Sequence, residues 1–212
     1  MMMRAPAVGP NRLARLRAIN SFMRTWYGEN PGTNRLPRLK MGNLTIRDWY
    51  ELHGPNVKAG NSRAAAPLFA ALTRRFLPEG SPEHVAARAL TSYLEEFYRI
   101  IYTQPMFMER TAIDRIRVVC EEMGFYYQSL REYCARTELL AFNVTPKTHK
   151  IQHVPMLCEV INPRCVQCYA EESLIGTVAK VYKASMSGRY EGGVQRNVLA
   201  KRVLGLCVRF EP

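Results

Sequence analysis

Between Thr145 and Gly176 the chain reads TPKTHKIQHVPMLCEVINPRCVQCYAEESLIG, and these thirty-two residues hold most of its chemistry-bearing side chains: His149, His153, Cys158, Cys165, Cys168, Glu171 and Glu172. Two chemistries compete there with a plain turn between core helices. In the first, His149 and His153, four residues apart, join Cys165 and Cys168 as four ligands to a tetrahedral Zn2+. The order of the pairs is the reverse of the usual finger, which places the Cys pair first, and Cys158 is a rival ligand. Unliganded thiols are the competing reading. In the second, Glu171 and Glu172 lead a helix, with His153 upstream as a further candidate catalytic group. Carboxylates in such a set hold two divalent ions, Mg2+ being the usual one, which activate an attacking water and stabilise the leaving oxygen. That chemistry needs further carboxylates, and the only aspartates are Asp48 and Asp114, both inside helical patterns. Two acids at a helix start are also what the helix dipole favours without any site.

Charge points to a partner. The formal net charge is +12 with pI ≈ 9.7 over 212 residues, and a surplus of that size favours nucleic acid or an anionic surface. The surplus sits at the ends. Residues 1–47 carry nine Lys/Arg against Glu29 alone, and residues 174–212 carry seven against Glu191 and Glu211. Residues 81–141 hold seven Arg and nine acids. The candidate phosphate contacts are Arg12 and Arg15 near the start, Lys58, Arg63 and Lys147 further on, and Lys180, Lys183, Arg189, Arg196, Lys201 and Arg202 towards the end. Solvated basic helix faces would read the same way.

The hydrophobic fraction of 47% is enough for a core. No apolar run nears the ~20 residues that span a bilayer, and no secretory leader is visible. Two of the six cysteines fall inside helical patterns, so a reducing intracellular compartment is expected. The opening Met-Met-Met-Arg and closing Phe210-Glu211-Pro212 also suit a fragment of a longer protein.

The elements that must position these groups read as helices. Asn11 caps a first helix with Leu13, Leu16, Ile19 and Met23 at helical spacing and Arg12, Arg15 and Arg17 crowded in one turn. Asn30-Pro31-Gly32 and Leu36-Pro37 mark a loop, and a short helix is expected around Thr45 to Leu52. Gly54 to Phe76 has a glycine-rich lead-in, Asn61 or Ser62 as a cap, and Lys58 and Arg63 beside a helix start that suits a phosphate, although without a Gly-Lys-Ser/Thr element an ordinary capped helix reads the same way. Pro67 falls in that helix's early turns. Ser81-Pro82-Glu83 starts the next helix, whose Val85, Ala89, Leu90, Tyr93, Leu94, Phe97, Ile100 and Ile101 make it the central core element. After Gln104-Pro105, a helix through Ile113, Ile116, Val119, Cys120 and Met123 is expected to stop at Gly124, with another from Phe125 to about Leu140. Met106, Met108 and Met123 read as gap-filling core residues. The interleaved Arg and Glu residues read as i,i+4 pairs on a solvated face. Thr145-Pro146 opens a helix that Pro155 kinks or ends, and Asn162-Pro163 turns into an extended or knuckle-like piece near Cys165 to Tyr169. The fold class is therefore mainly α, a multi-helix bundle with at most a short extended segment near 164–169. Its division is a basic N-terminal helix and loop over 1–44 and a single helical domain over 45–212.

The pattern Pro146-Lys147-x-His149-x-x-x-His153, then Asn162-Pro163, then Glu171-Glu172-Ser173-x-x-Gly176, resembles the C-terminal segment of transposase-derived proteins of the Kyakuja-Dileera-Zisupton type. Lys58-Ala59-Gly60 through Arg63 is similar to a segment that precedes the helices in those proteins. The resemblance touches about two thirds of the chain on short motifs. It implies the helical insertion and closing catalytic helix of an RNase H-like transposase, with Glu172 as the matching acid. The strands that bear the earlier aspartates have no counterpart in this sequence, so a protein partner supplying them is implied. The expected function is a nucleic-acid-associated protein without a complete catalytic triad, with DNA rather than RNA as partner and the nucleus as its place. A helical interaction protein with a small zinc site is the alternative.

Overall fold

The computed structural model describes residues 10–31, 35–41, 63–139, 141–142 and 150–166. By contact the chain divides into two compact units, Met1–Val166 and Gln167–Pro212, and every described residue belongs to the first. The fold class is the one expected: five α-helices and two 3-10 turns, with no strand among the described residues. They are α1 (Arg12–Glu29), α2 (Ala66–Phe76), α3 (Pro82–Thr103), α4 (Arg110–Arg136) and α5 (Val154–Cys158), with the 3-10 turns at Ile151–His153 and Pro163–Val166. No described helix is long and apolar enough to cross a membrane.

The spine is the antiparallel hairpin of α3 and α4. Tyr93 stacks on Tyr126 about midway along it, with ring centroids 6.0 Å apart, and a bidentate Arg115–Glu96 pair lies nearer the connecting loop. Two apolar clusters flank this spine. The first joins Ile19, Met23 and Tyr27 of α1, Leu68 and Leu72 of α2, Ala86 and Ala87 early in α3, and Leu130 late in α4. The second joins Phe97, Ile100 and Ile101 of α3 to Ile113, Ile116, Val119, Cys120 and Met123 of α4 and to Cys158 of α5. Each helix thus buries one stripe at helical spacing, the main source of helix stability in water.

Several local expectations change. α4 runs unbroken through Gly124, because Cys120, Met123, Leu130 and Cys134 continue one buried stripe across it. Packing on both sides outweighs the ~1 kcal/mol that a helical glycine costs relative to alanine. The helix ends at Arg136, short of Leu140: Glu138 takes a left-handed φ of 53°, Leu139 N–H donates to Cys134 O at 2.8 Å and Glu138 N–H to Ala135 O at 3.3 Å. This is a Schellman closure with glutamate where glycine is usual. Asn11 caps α1 as expected, its Oδ1 accepting from Ala14 N–H at 2.9 Å. Ser81 holds the cap position of α3 in extended backbone, but its hydroxyl makes no capping bond; the carbonyl receives His84 and Val85 N–H instead. Leu13, Val85 and Met106, expected inside, are 52%, 44% and 49% exposed, since each falls beyond the edge of its helix's buried stripe or in the α3–α4 loop. The helix start expected at Thr145-Pro146 lies outside the described residues, and Pro155 follows the 3-10 turn Ile151–His153. It sits buried in the first turn of α5, where a missing N–H costs nothing.

Most ion pairs of the hairpin join different elements. Arg74 meets Glu95, Arg88 meets Glu79 and Arg115 meets Glu96. Arg110 and Arg117 share Asp114 within α4 and both reach Glu159 beyond α5. Among the described residues only Arg110–Asp114 is the expected i,i+4 type.

The segment 150–166 is tied to the spine by Asn162, which is fully buried. Its Nδ2 donates to the carbonyls of Ile101 (2.9 Å), Gln104 (3.1 Å) and Pro105 (3.1 Å), and its backbone N–H donates to Met106 O (2.8 Å). In a continued helix the Ile101 carbonyl would accept from residue 105, but residue 105 is proline and has no N–H. A side chain from 61 residues away supplies the missing donor. Asn162 Oδ1 accepts from Arg164 N–H at 3.0 Å and its carbonyl from Cys165 N–H at 2.8 Å. That pulls Pro163–Val166 into a 3-10 turn where an extended start was expected; residues 167–169 lie outside the described residues.

Candidate nucleic-acid interface

Helix α1 is amphipathic with an unusual charge order. Its inner face buries Leu16, Ile19, Met23 and Tyr27, and its outer face carries Arg12, Arg17 and Arg24, all exposed. The first turn contains no acid. Arg12 and Arg15 therefore sit at the end of the helix where the backbone dipole is already positive, an arrangement that disfavours the helix by a few tenths to about 1 kcal/mol per charge. Arg15 is half-buried and has partners within the chain.

Residues 35–40 form an extended strap alongside α1. The Asn20 side chain clamps it like a strand partner: Leu39 N–H donates to Oδ1 at 2.9 Å and Nδ2 donates to Leu39 O at 3.0 Å. Further along, Leu36 N–H donates to the Tyr27 hydroxyl at 2.8 Å, and Arg35 lies 5.7 Å from the Tyr27 ring centroid. Burial raises the Tyr27 phenol above its ordinary pKa, against the smaller opposing pull of the Leu36 N–H and the Arg35 charge. The strap adds exposed Arg38 and Lys40 to the arginine face. From the sequence alone this stretch reads as a loop, and Arg24 and Arg38 do not stand out as contacts. Their signal was the absence of any acid near them other than Glu29.

Six arginines of the hairpin side differ from those of this face, although Arg75 and Arg136, also exposed, have no carboxylate partner among the described residues. Arg74, Arg88, Arg99, Arg110, Arg115 and Arg117 of the hairpin side each meet a carboxylate within 4 Å. Arg12, Arg17, Arg24 and Arg38 have neither an ion pair nor a hydrogen bond through the guanidinium among the described residues.

Of the other candidates, Arg63 lies far from α1's first turn in role. Its guanidinium hydrogen-bonds the Tyr102 hydroxyl and stacks 4.6 Å from that ring's centroid. Arg164 approaches the same ring at 6.0 Å and donates to Tyr102 O at 3.1 Å. Both cations thus gather at the negative end of the α3 dipole. His153 is exposed at the end of the first 3-10 turn and has partners within the chain; Cys165 is exposed on the second turn. Among the described residues no group of three or more His, Cys, Asp or Glu side chains is placed to hold a metal ion. Cys120, Cys134 and Cys158 are buried and form no disulfide among the described residues. Burial pushes Cys120 up to about 12, with Cys158 close enough to add to it, and Cys158 up to about 11. Asp114, one of the two aspartates, is committed to Arg110 and Arg117. Lys58, Lys147, His149, Cys168, Glu171, Glu172, Lys180, Lys183, Arg189, Arg196, Lys201 and Arg202 lie outside the described residues, as do the expected caps Asn61 and Ser62, the Thr45–Leu52 helix and the Thr145-Pro146 helix start.

Comparison of the chain with protein-family models, with curated proteins and with solved structures finds no match.

Proposed function

We propose that this chain is a nucleic-acid-associated, transposase-derived helical protein that binds DNA through its basic ends and acts in the nucleus. One observation carries the reading: Arg12, Arg17, Arg24 and Arg38 of α1 and its strap are exposed with no carboxylate partner among the described residues, while Arg74, Arg88, Arg99, Arg110, Arg115 and Arg117 each meet one. Protein stability gains nothing from gathering like charges at the positive end of a helix; a polyanion does. The transposase origin rests on the resemblance around Pro146 to Gly176. In that reading Glu172, with Glu171 and His153, contributes to a metal-dependent strand-transfer site whose remaining carboxylates come from a partner protein. The test is fluorescence anisotropy with labelled duplex and single-stranded oligonucleotides over a range of KCl. Expected is binding whose log Kd rises steeply with log salt, with duplex DNA preferred over RNA; no binding at low salt, or binding indifferent to salt, overturns the reading. Strand cleavage with Mg2+ or Mn2+ by the protein alone, abolished by Glu172→Gln, would replace it with an enzyme.

A second reading, a helical interaction protein, is favoured by one feature. Met156, Val160 and Val166 around α5 are 68%, 70% and 56% exposed, and Phe107 in the α3–α4 loop is 71% exposed. Large exposed apolar side chains of this kind suit protein contacts. Light scattering that shows a stable oligomer, dispersed by Val160→Glu, supports it. The zinc version of that reading predicts stoichiometric zinc by elemental analysis in protein purified without chelator.

A further inference from the structure

Between α1 and the strap lies an open cleft of about 160 Å³, lined by Asn20, Met23, Arg24, Tyr27, Leu36 and Arg38. Its base is part of the core: Met23, Tyr27 and Leu36 are all at most 5% exposed. Its rim holds two guanidiniums and no carboxylate. The backbone carrying Arg38 is pinned on both sides, by Leu36 N–H on the Tyr27 hydroxyl and by the two bonds between Leu39 and Asn20. Arg24 stands on the helix between those same anchors, Asn20 and Tyr27. Both cations therefore rise from fixed backbone, and neither finds a counter-ion among the described residues.

Two guanidiniums held about one cleft repel each other, and a bound anion removes that repulsion. A cation is excluded and an apolar ligand makes no use of them. A tetrahedral oxyanion offers separate oxygens to both planar forks, the geometry for which arginine is better suited than lysine. The cleft is open, so the group need not be a free small molecule; it can belong to a chain that passes across the surface. Arg17 lies seven residues before Arg24, two turns or roughly 10.5 Å away on the same helix face, and extends the cationic track.

From this geometry we infer that the cleft seats one phosphodiester of a nucleic-acid backbone, with Arg24 and Arg38 donating to its non-bridging oxygens. The inference rests on the nucleic-acid reading above and adds a fixed contact point to it. Such a contact positions the backbone and reads no base.

The experiment compares the full chain with three double variants: Arg24→Gln/Arg38→Gln, Arg24→Lys/Arg38→Lys, and the control Arg75→Gln/Arg136→Gln, which removes the same charge from exposed sites elsewhere. Far-UV circular dichroism confirms that each is folded. Oligonucleotide anisotropy is read across KCl concentrations, and the arginine Nε–H resonances are followed by NMR as inorganic phosphate is added. Expected is a loss of about tenfold or more for the glutamine pair, with the log–log salt slope reduced by roughly 0.7–0.9 for the one phosphate no longer neutralised. The lysine pair keeps the slope but loses several-fold in affinity, and the control changes little. Phosphate shifts the Arg24 and Arg38 resonances in the wild type. Unchanged affinity and slope in the glutamine pair, or an equal loss in the control, overturns the cleft while the nucleic-acid reading stands. Phosphate shifts at Arg24 and Arg38 without any oligonucleotide binding support the cleft as a phosphate site and overturn the nucleic-acid reading. Silence in both assays overturns both.

Discussion

Replacing Asn162 with alanine removes the donor that closes the end of α3. The Ile101 carbonyl, on a residue 1% exposed, then has no partner, because Pro105 cannot supply one. An orphaned buried carbonyl costs about 1–3 kcal/mol, and the lost Oδ1 bond to Arg164 N–H adds about 0.5–1.5 kcal/mol. The carbonyls of Gln104 and Pro105 lie where the chain turns to the surface and can rehydrate. The sum is a loss of about 1.5–4.5 kcal/mol, which for a chain of this size lowers Tm by roughly 3–18 °C. Asn162→Asp is the sharper probe. It keeps the shape but sets a carboxylate against three carbonyl oxygens, so at neutral pH it is expected to destabilise more than alanine. The native fold raises the pKa of that new carboxyl, so its penalty shrinks as pH falls through the raised value and a donor proton returns. Urea denaturation followed by far-UV circular dichroism at pH 7 and pH 4 reads both variants against the wild type. Should alanine cost under about 0.5 kcal/mol, or aspartate be tolerated like asparagine, the account of how 150–166 holds the hairpin is wrong.

Other expectations concern the spine and its thiols. Gly124→Ala should stabilise by about 0.5–1 kcal/mol in the same denaturation assay, since the helix is continuous there and a Cβ meets only Gln152 Nε2 at 3.9 Å. Iodoacetamide at pH 8 with peptide mass mapping should label Cys165 rapidly and leave Cys120 and Cys158 unlabelled until the protein is unfolded, because burial holds the latter two protonated. The same raised values set a sign for alkaline stability. The contribution of these thiols is whole below their ordinary 9.0 and is lost as pH rises towards about 11–12, less steeply in Cys120→Ala than in wild type once both are referred to pH 7. Glu96 is held below the usual carboxylate range, chiefly by its hydrogen bonds to Arg115, so its contribution is present above that range and disappears as pH falls through the lowered value. Since Arg115 is half-exposed, Glu96→Gln should cost under about 1 kcal/mol at pH 7, and the cost should shrink as pH falls through the lowered value.

What the sequence determined by itself is local and periodic. The apolar spacing in α1, α3 and α4 marked the helices, Asn11 marked a start, and Pro67 and Pro82 marked first turns, because each of these depends on neighbours within a few residues. The charge surplus of the first 47 residues was equally plain. Tertiary structure decided whatever depends on residues far apart in the chain. Gly124 continues a helix because burial on both sides of it outweighs its own preference. Asn162 reads as a simple turn until the carbonyl left open by Pro105 comes to lie beside it. Arg24 and Arg38, fourteen residues apart with a proline-marked loop between them, share a cleft only because Asn20 and Tyr27 lay the strap back along α1. Sequence spacing records which charges exist. Which of them lack a counter-ion is fixed when the chain folds, and on that the candidate interface rests.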